Sequence, residues 1–147
     1  MEFDYIRIIE LLAVLATVLA MLREIRVVAK SARSQAYFGI TSQVMNLNQL
    51  QVTKPDLYNL LAIESPKEER GKAQQAWIFY MIMNLYENIY LQWKEGLIPN
   101  EVWNGWKKAM KEDFKLAGMR KQWEMNKASY TKSFAEIIDR EVAVSPS

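Results

Sequence analysis

Residues 11–22, LLAVLATVLAML, set twelve positions in a row without a charge, and REIRVVAKSAR follows at once. A helix built from such a run has no polar side to give to water, and the run lacks the alternation of a half-buried strand. It has to be enclosed, and three settings compete: the core of a soluble domain, an export signal and a membrane anchor. Between Ile8 and Leu22 nine residues are Leu, Ile or Val, each contributing roughly −0.3 to −0.6 kcal/mol near mid-bilayer, for a sum of about −4 kcal/mol. Arg7 and Glu10 oppose insertion by about 3 kcal/mol each at the centre, and by much less where the side chain reaches the interface. A helix over residues 5–22 measures roughly 27 Å, against a hydrocarbon thickness of about 30 Å.

The flanking charges choose among the three. Glu2, Asp4 and Glu10 accompany the single Arg7 before the run, whereas Arg23, Arg26, Lys30 and Arg33 follow it. An export signal carries its positive charge on the other side of the apolar segment. The positive-inside rule puts the C-terminal body in the cytoplasm. The expectation is therefore an anchor carried by Leu11, Leu12, Val14, Leu15, Val18, Leu19 and Leu22, single-pass in the inner membrane and oriented by the four basic residues after it. The rival is a core helix, for which twelve clean apolar residues are long enough.

Five Gly and four Pro in 147 residues, with no sustained apolar–polar alternation, leave little room for hairpins, so the fold class is all-α. No Pro occurs before Pro55, and Ile25, Val28, Ala32, Ala36, Ile40, Val44 and Leu47 recur at intervals of three or four. One long helix, or two nearly collinear ones, is predicted. Thr53 before Pro55 reads as an N-cap with proline at the first helical position, and Ser65-Pro66-Lys67-Glu68 as a capping box. The longest body helix is predicted over residues 67–95, ended by Gly96; Pro99 opens the next, and Gly118 divides it from a last helix over residues 119–142. The resulting expectation is an N-terminal transmembrane helix continuing into a cytoplasmic bundle of about four helices: residues 1–25 anchor, 26–142 bundle, 143–147 a frayed tail.

Composition removes several chemistries. With no Cys there is no disulfide, thiolate nucleophile or sulfur-ligated metal, and with no His the commonest general base and metal ligand are missing. Nothing matches a phosphate loop, a dinucleotide fingerprint or a nucleophile elbow. No cofactor is expected, and a net charge of +2 does not suggest a nucleic-acid binder.

Three clusters remain. Asn84, Glu87 and Asn88 put a carboxylate between two amides within an apolar helix, either as a desolvated acid or as a buried polar network fixing helix register. Trp93, Trp103, Trp106 and Trp123 gather around the turn at Gly96, as core packing or as a partner-binding aromatic surface. Lys107, Lys108, Lys111, Lys115, Arg120, Lys121 and Lys127, partly balanced by Glu112, Asp113 and Glu124, form a solvated face or a counterpart to anionic lipid headgroups.

The stretch NLYENIYLQWKEGLIPNEVWNGW, with Trp123 and Phe134 beyond it, resembles a set of bacterial proteins of unknown function that carry one N-terminal transmembrane helix and a small cytoplasmic helical domain. The features carrying the resemblance are Asn84, Tyr86-Glu87, Gly96, Ile98, Trp103, Trp123 and Phe134, within residues 73–138. It implies the fold and the anchor, and no activity. The expected role is thus non-catalytic: an accessory or scaffold subunit in contact with the lipid bilayer and other membrane protein subunits through its anchor helix and aromatic bundle surface. A soluble homo-oligomeric adaptor with the first helix buried is the alternative, and a small hydrolase or transferase using Glu87 is a weaker third.

Overall fold

The computed structural model describes residues 2–142, with side chains from Tyr5 onward; the expected frayed tail at 143–147 lies outside the described residues. All regular structure among them is helical: α1 (Glu2–Thr53), α2 (Pro55–Asn59), a 3-10 turn (Leu60–Ala62), α3 (Glu69–Lys94), α4 (Asn100–Asp113), α5 (Ala117–Asn126), a second 3-10 turn (Lys127–Ser129) and α6 (Lys132–Glu141). By its contacts the chain divides into two units, residues 1–35 and 36–147. The division falls after Gln35 rather than at residue 25. Among the described side chains of α1, Ala36 is the first that is buried, whereas Ile25, Val27 and Val28 are all exposed.

In the first unit α1 runs without interruption, as expected for a segment free of Pro and Gly. Thr17, the one polar side chain within residues 11–22, turns its hydroxyl back to donate to the carbonyl of Ala13 at 2.9 Å. That bond removes the need for any outside partner.

In the second unit, the C-terminal part of α1 buries Ala36 and Ile40 and half-buries Val44, Leu47 and Leu50, so the predicted stripe is used from Ala36 onward. The helix ends where Pro55 forces Lys54 out of helical geometry (φ −141°, ψ 65°). Thr53 is not the N-cap of the following helix. It is the last residue of α1, and its hydroxyl donates to the carbonyl of Gln49 at 2.8 Å.

Helix α3 is the centre of the core and buries Ile78, Phe79, Ile82, Met83, Leu85, Tyr86, Ile89 and Tyr90. It begins at Glu69, with Glu68 as a cap that makes no side-chain bond, so the Ser65–Glu68 capping box does not form. Its end is a Schellman closure: the Gly96 N–H donates to Trp93 O at 2.9 Å and the Leu97 N–H to Gln92 O at 2.9 Å. Gly96 supplies the left-handed φ of +74° that this closure requires.

The C-terminal third departs from the predicted single helix. Gly118 does not separate two helices; it is a buried residue in the first turn of α5. A Cβ at position 118 would lie 2.5 Å from the carbonyl oxygen of Ile63 and 2.7 Å from that of Leu61. This glycine lets α5 approach the Leu60–Ala62 turn. The real break lies at Tyr130 and Thr131, both extended (ψ 164° and 140°). The extension sends the Tyr130 ring inward against Trp123 and Phe134, at centroid distances of 5.5 and 5.9 Å.

Candidate functional site

The expected anchor residues are exposed throughout: the seven range from 44% exposure at Val18 to 69% at Leu11. Every side of this stretch presents Leu, Val or Ala, so no rotation about the helix axis would shelter it. The helix is long and apolar enough to cross a membrane by length and composition. Arg23, Arg26, Lys30 and Arg33 are exposed on the turns that follow.

Asn84, Glu87 and Asn88 are not a buried network. Asn84 is exposed, and Glu87 and Asn88 are half-buried with unrelated partners. Glu87 accepts the backbone N–H of Thr131, the N-cap residue of α6, at 2.7 Å. It ties α3 to the start of α6, and the carboxylate suits the positive end of that helix. Asn88 accepts from Gln92 at 3.0 Å and donates to Gln43 at 3.4 Å, an exposed contact with the last turns of α1. The three separate because positions 84, 87 and 88 lie at the border of the buried face of α3 rather than within it.

The four tryptophans pack in the core or against it, with Trp93 and Trp106 only half-buried. Trp103 and Trp123 are 2% and 0% exposed. Trp93 stacks on Trp103 with centroids 5.1 Å apart and planes at 17°, and its indole N–H donates to Asn100 Oδ1 at 2.7 Å across the α3–α4 turn. Tyr90 and Phe134 continue the chain of rings to Trp123, whose N–H donates to Asp139 at 2.7 Å. Trp106 is half-buried and meets Tyr86 edge-on at 6.2 Å. The exposed tryptophan is Trp77, at 51%. Among the basic residues, Lys107 pairs with Glu141 at 3.0 Å and Lys115 with Glu112 at 2.6 Å, and Arg120 donates to the Phe114 and Lys115 carbonyls at the end of α4.

Two polar constructions have no counterpart in the sequence reading. Gln75, 1% exposed, donates to the carbonyls of Leu60 and Ile63 and accepts from Gln122 at 3.1 Å. Gln122 accepts from Asn126 at 3.1 Å, which in turn accepts the Tyr80 hydroxyl at 2.6 Å. This chain of amides ties α5 to α3 and to the Leu60–Ala62 turn.

In the other construction, Asp113, the last residue of α4, accepts the Tyr58 hydroxyl on one oxygen at 2.8 Å and the Tyr86 hydroxyl on the other at 2.6 Å. Burial first, and the neighbouring Asp113 charge second, push both tyrosines well above their ordinary 10.0. The three line a cleft of about 140 Å³ with Lys54, Leu47, Leu85 and Trp106. No motif announces either group, because the contacts that tie one element to another join residues 12 to 55 positions apart along the chain.

Comparison of the chain with protein-family models, with curated proteins and with solved structures finds no match.

Proposed function

We propose that the chain is a single-pass inner-membrane protein of non-catalytic role, an accessory or scaffold subunit whose α1 packs within a larger membrane assembly while its helical body lies in the cytoplasm. The observation that carries this reading is the exposure of Leu11, Leu12, Val14, Leu15, Val18, Leu19 and Leu22 around the whole circumference of α1. Burying an aliphatic side chain of this size is worth about 1.5–3 kcal/mol, so leaving seven half-exposed forgoes on the order of 10 kcal/mol. That is comparable with the whole stability of an ordinary domain, roughly 5–15 kcal/mol, and so demands a cover. Arg23, Arg26, Lys30 and Arg33 after the run, against Glu2, Asp4 and Glu10 around its start, support the cytoplasmic side for the body.

Alkaline carbonate washing tests the reading. The full chain should stay in the membrane pellet and a chain lacking residues 1–22 should be released. Purification in mild detergent should return a second membrane subunit in fixed stoichiometry, lost with the same deletion. A full-length chain that washes free as a discrete homo-oligomer would replace this account with a soluble adaptor whose first helices cover one another.

A further inference from the structure

The cleft at Asp113 has an electrostatic imbalance that the fold does not correct. Its walls are largely aliphatic, from Val44, Leu47, Ile78, Ile82 and Leu85, with Trp106 beside them, and Asp113 is its one carboxylate. That carboxylate is half-buried and ends α4, where the helix dipole already concentrates negative charge, so two like-signed fields add. Among the described residues no Lys or Arg lies within 4.0 Å of it. Its partners are two neutral hydroxyls. A carboxylate has about four acceptor positions, and Tyr58 and Tyr86 use two. Lys54, the one cation on the lining, is exposed and makes no ion pair with Asp113.

We propose that this cleft binds a small organic cation, an ammonium group carried on a benzene-sized apolar body, with the ammonium on Asp113 and the apolar part against Leu47, Leu85 and Trp106. The size fits: a volume of about 140 Å³ is close to the apolar cavities of about 150 Å³ that hold benzene. The charge fits as well, because a cation completes the free acceptor positions of Asp113 and lies beside the rings of Tyr58, Tyr86 and Trp106. The inference is independent of the membrane reading, since every lining residue belongs to residues 36–147.

The test is a titration of the full chain, in lipid nanodiscs or, if it washes free of membranes, in aqueous buffer, with phenethylamine, phenethyl alcohol and phenylacetate, read on the Trp106 indole N–H resonance. Phenethylamine should bind saturably below about 10 mM and at least about tenfold more tightly than the alcohol, as expected for a charge-assisted bond. Phenylacetate should not bind. Val44→Phe, which fills the cleft, and Asp113→Asn should each abolish the preference for the amine, and Lys54→Ala should strengthen it. Equal affinity for amine and alcohol, no saturation, or undiminished amine binding in the folded Val44→Phe variant would overturn the proposal. The ligand series on the unmodified chain decides the matter even if Asp113→Asn fails to fold.

Discussion

Gly118→Ala should be among the most damaging single-methyl changes in this protein, and its cost follows from the geometry. The added Cβ would stand 2.5 Å from Ile63 O and 2.7 Å from Leu61 O, and would overlap the Gln75 amide. Two of these neighbours are backbone of the Leu60–Ala62 turn and its exit, so they cannot rotate away as a side-chain tip can. Either α5 retreats or Gln75 leaves its place. Overpacking of this kind costs about 1–3 kcal/mol. Displacing Gln75, 1% exposed and bonded to Leu60, Ile63 and Gln122, strands buried polar atoms for a further 1–3 kcal/mol or so. Alanine returns up to about 1 kcal/mol of helix propensity within α5. The net destabilisation is about 1–6 kcal/mol, which is roughly 5 °C or more in Tm for a body of this size. Thermal unfolding followed by circular dichroism measures it directly, with Gln75→Ala as a companion that should lose part of the same stability. A Gly118→Ala body whose Tm stays within about 2 °C of the parent would refute the close-approach argument.

The Tyr58–Asp113–Tyr86 group predicts an alkaline instability. Both tyrosines have folded-state values raised above their ordinary 10.0, so their contribution is complete below pH 10 and is lost as pH rises beyond it. Tyrosinate absorbance should therefore show these two rings ionising only as the body unfolds, and a stepwise titration with the fold intact would contradict their burial. Leu15→Lys should cost about 3–4 kcal/mol of membrane insertion, nearly cancelling the sum of about −4 kcal/mol for the whole run. The double change with Leu19→Lys should move the protein to the soluble or degraded fraction in carbonate-washed membranes. Glu87→Gln keeps an acceptor for the Thr131 N–H and should change stability by less than about 0.5 kcal/mol, whereas Glu87→Ala should cost about 1 kcal/mol in urea unfolding of the body.

What the sequence discloses here is whatever is written locally. The uninterrupted α1, the close of α3 at Gly96 and the opening of α4 after Pro99 all follow from residues within a turn of one another. The failures share a cause. Gly118 looked like punctuation because glycine usually is, yet its role is set by carbonyls more than fifty residues earlier in the chain. The break at Tyr130 has no Gly or Pro to mark it, and Trp123, Tyr130, Phe134, Ile137 and Ile138 keep helical spacing across it, so periodicity concealed it. Thr53 and Ser65 were plausible caps, but Pro55 closes α1 after Thr53, and α3 starts at Glu69, too late for Ser65 to cap it. In the same way Asn84, Glu87 and Asn88 are neighbours in sequence only, whereas the polar chain of Gln75, Gln122 and Asn126 is assembled by packing and has no spacing to detect.

Because the chain contains no cysteine, single cysteines carrying a nitroxide can be placed along α1 against a clean background. The most direct measurement is the accessibility of such labels at Val14, Leu15 and Val18 to oxygen and to a water-soluble nickel chelate, in lipid vesicles, with Arg33 as the aqueous reference. Lipid immersion predicts high oxygen and low nickel access at all three, without helical periodicity, and high nickel access at Arg33. A periodic profile with low access to both reagents on one face would place α1 against protein, and high nickel access at Leu15 would contradict the anchor outright.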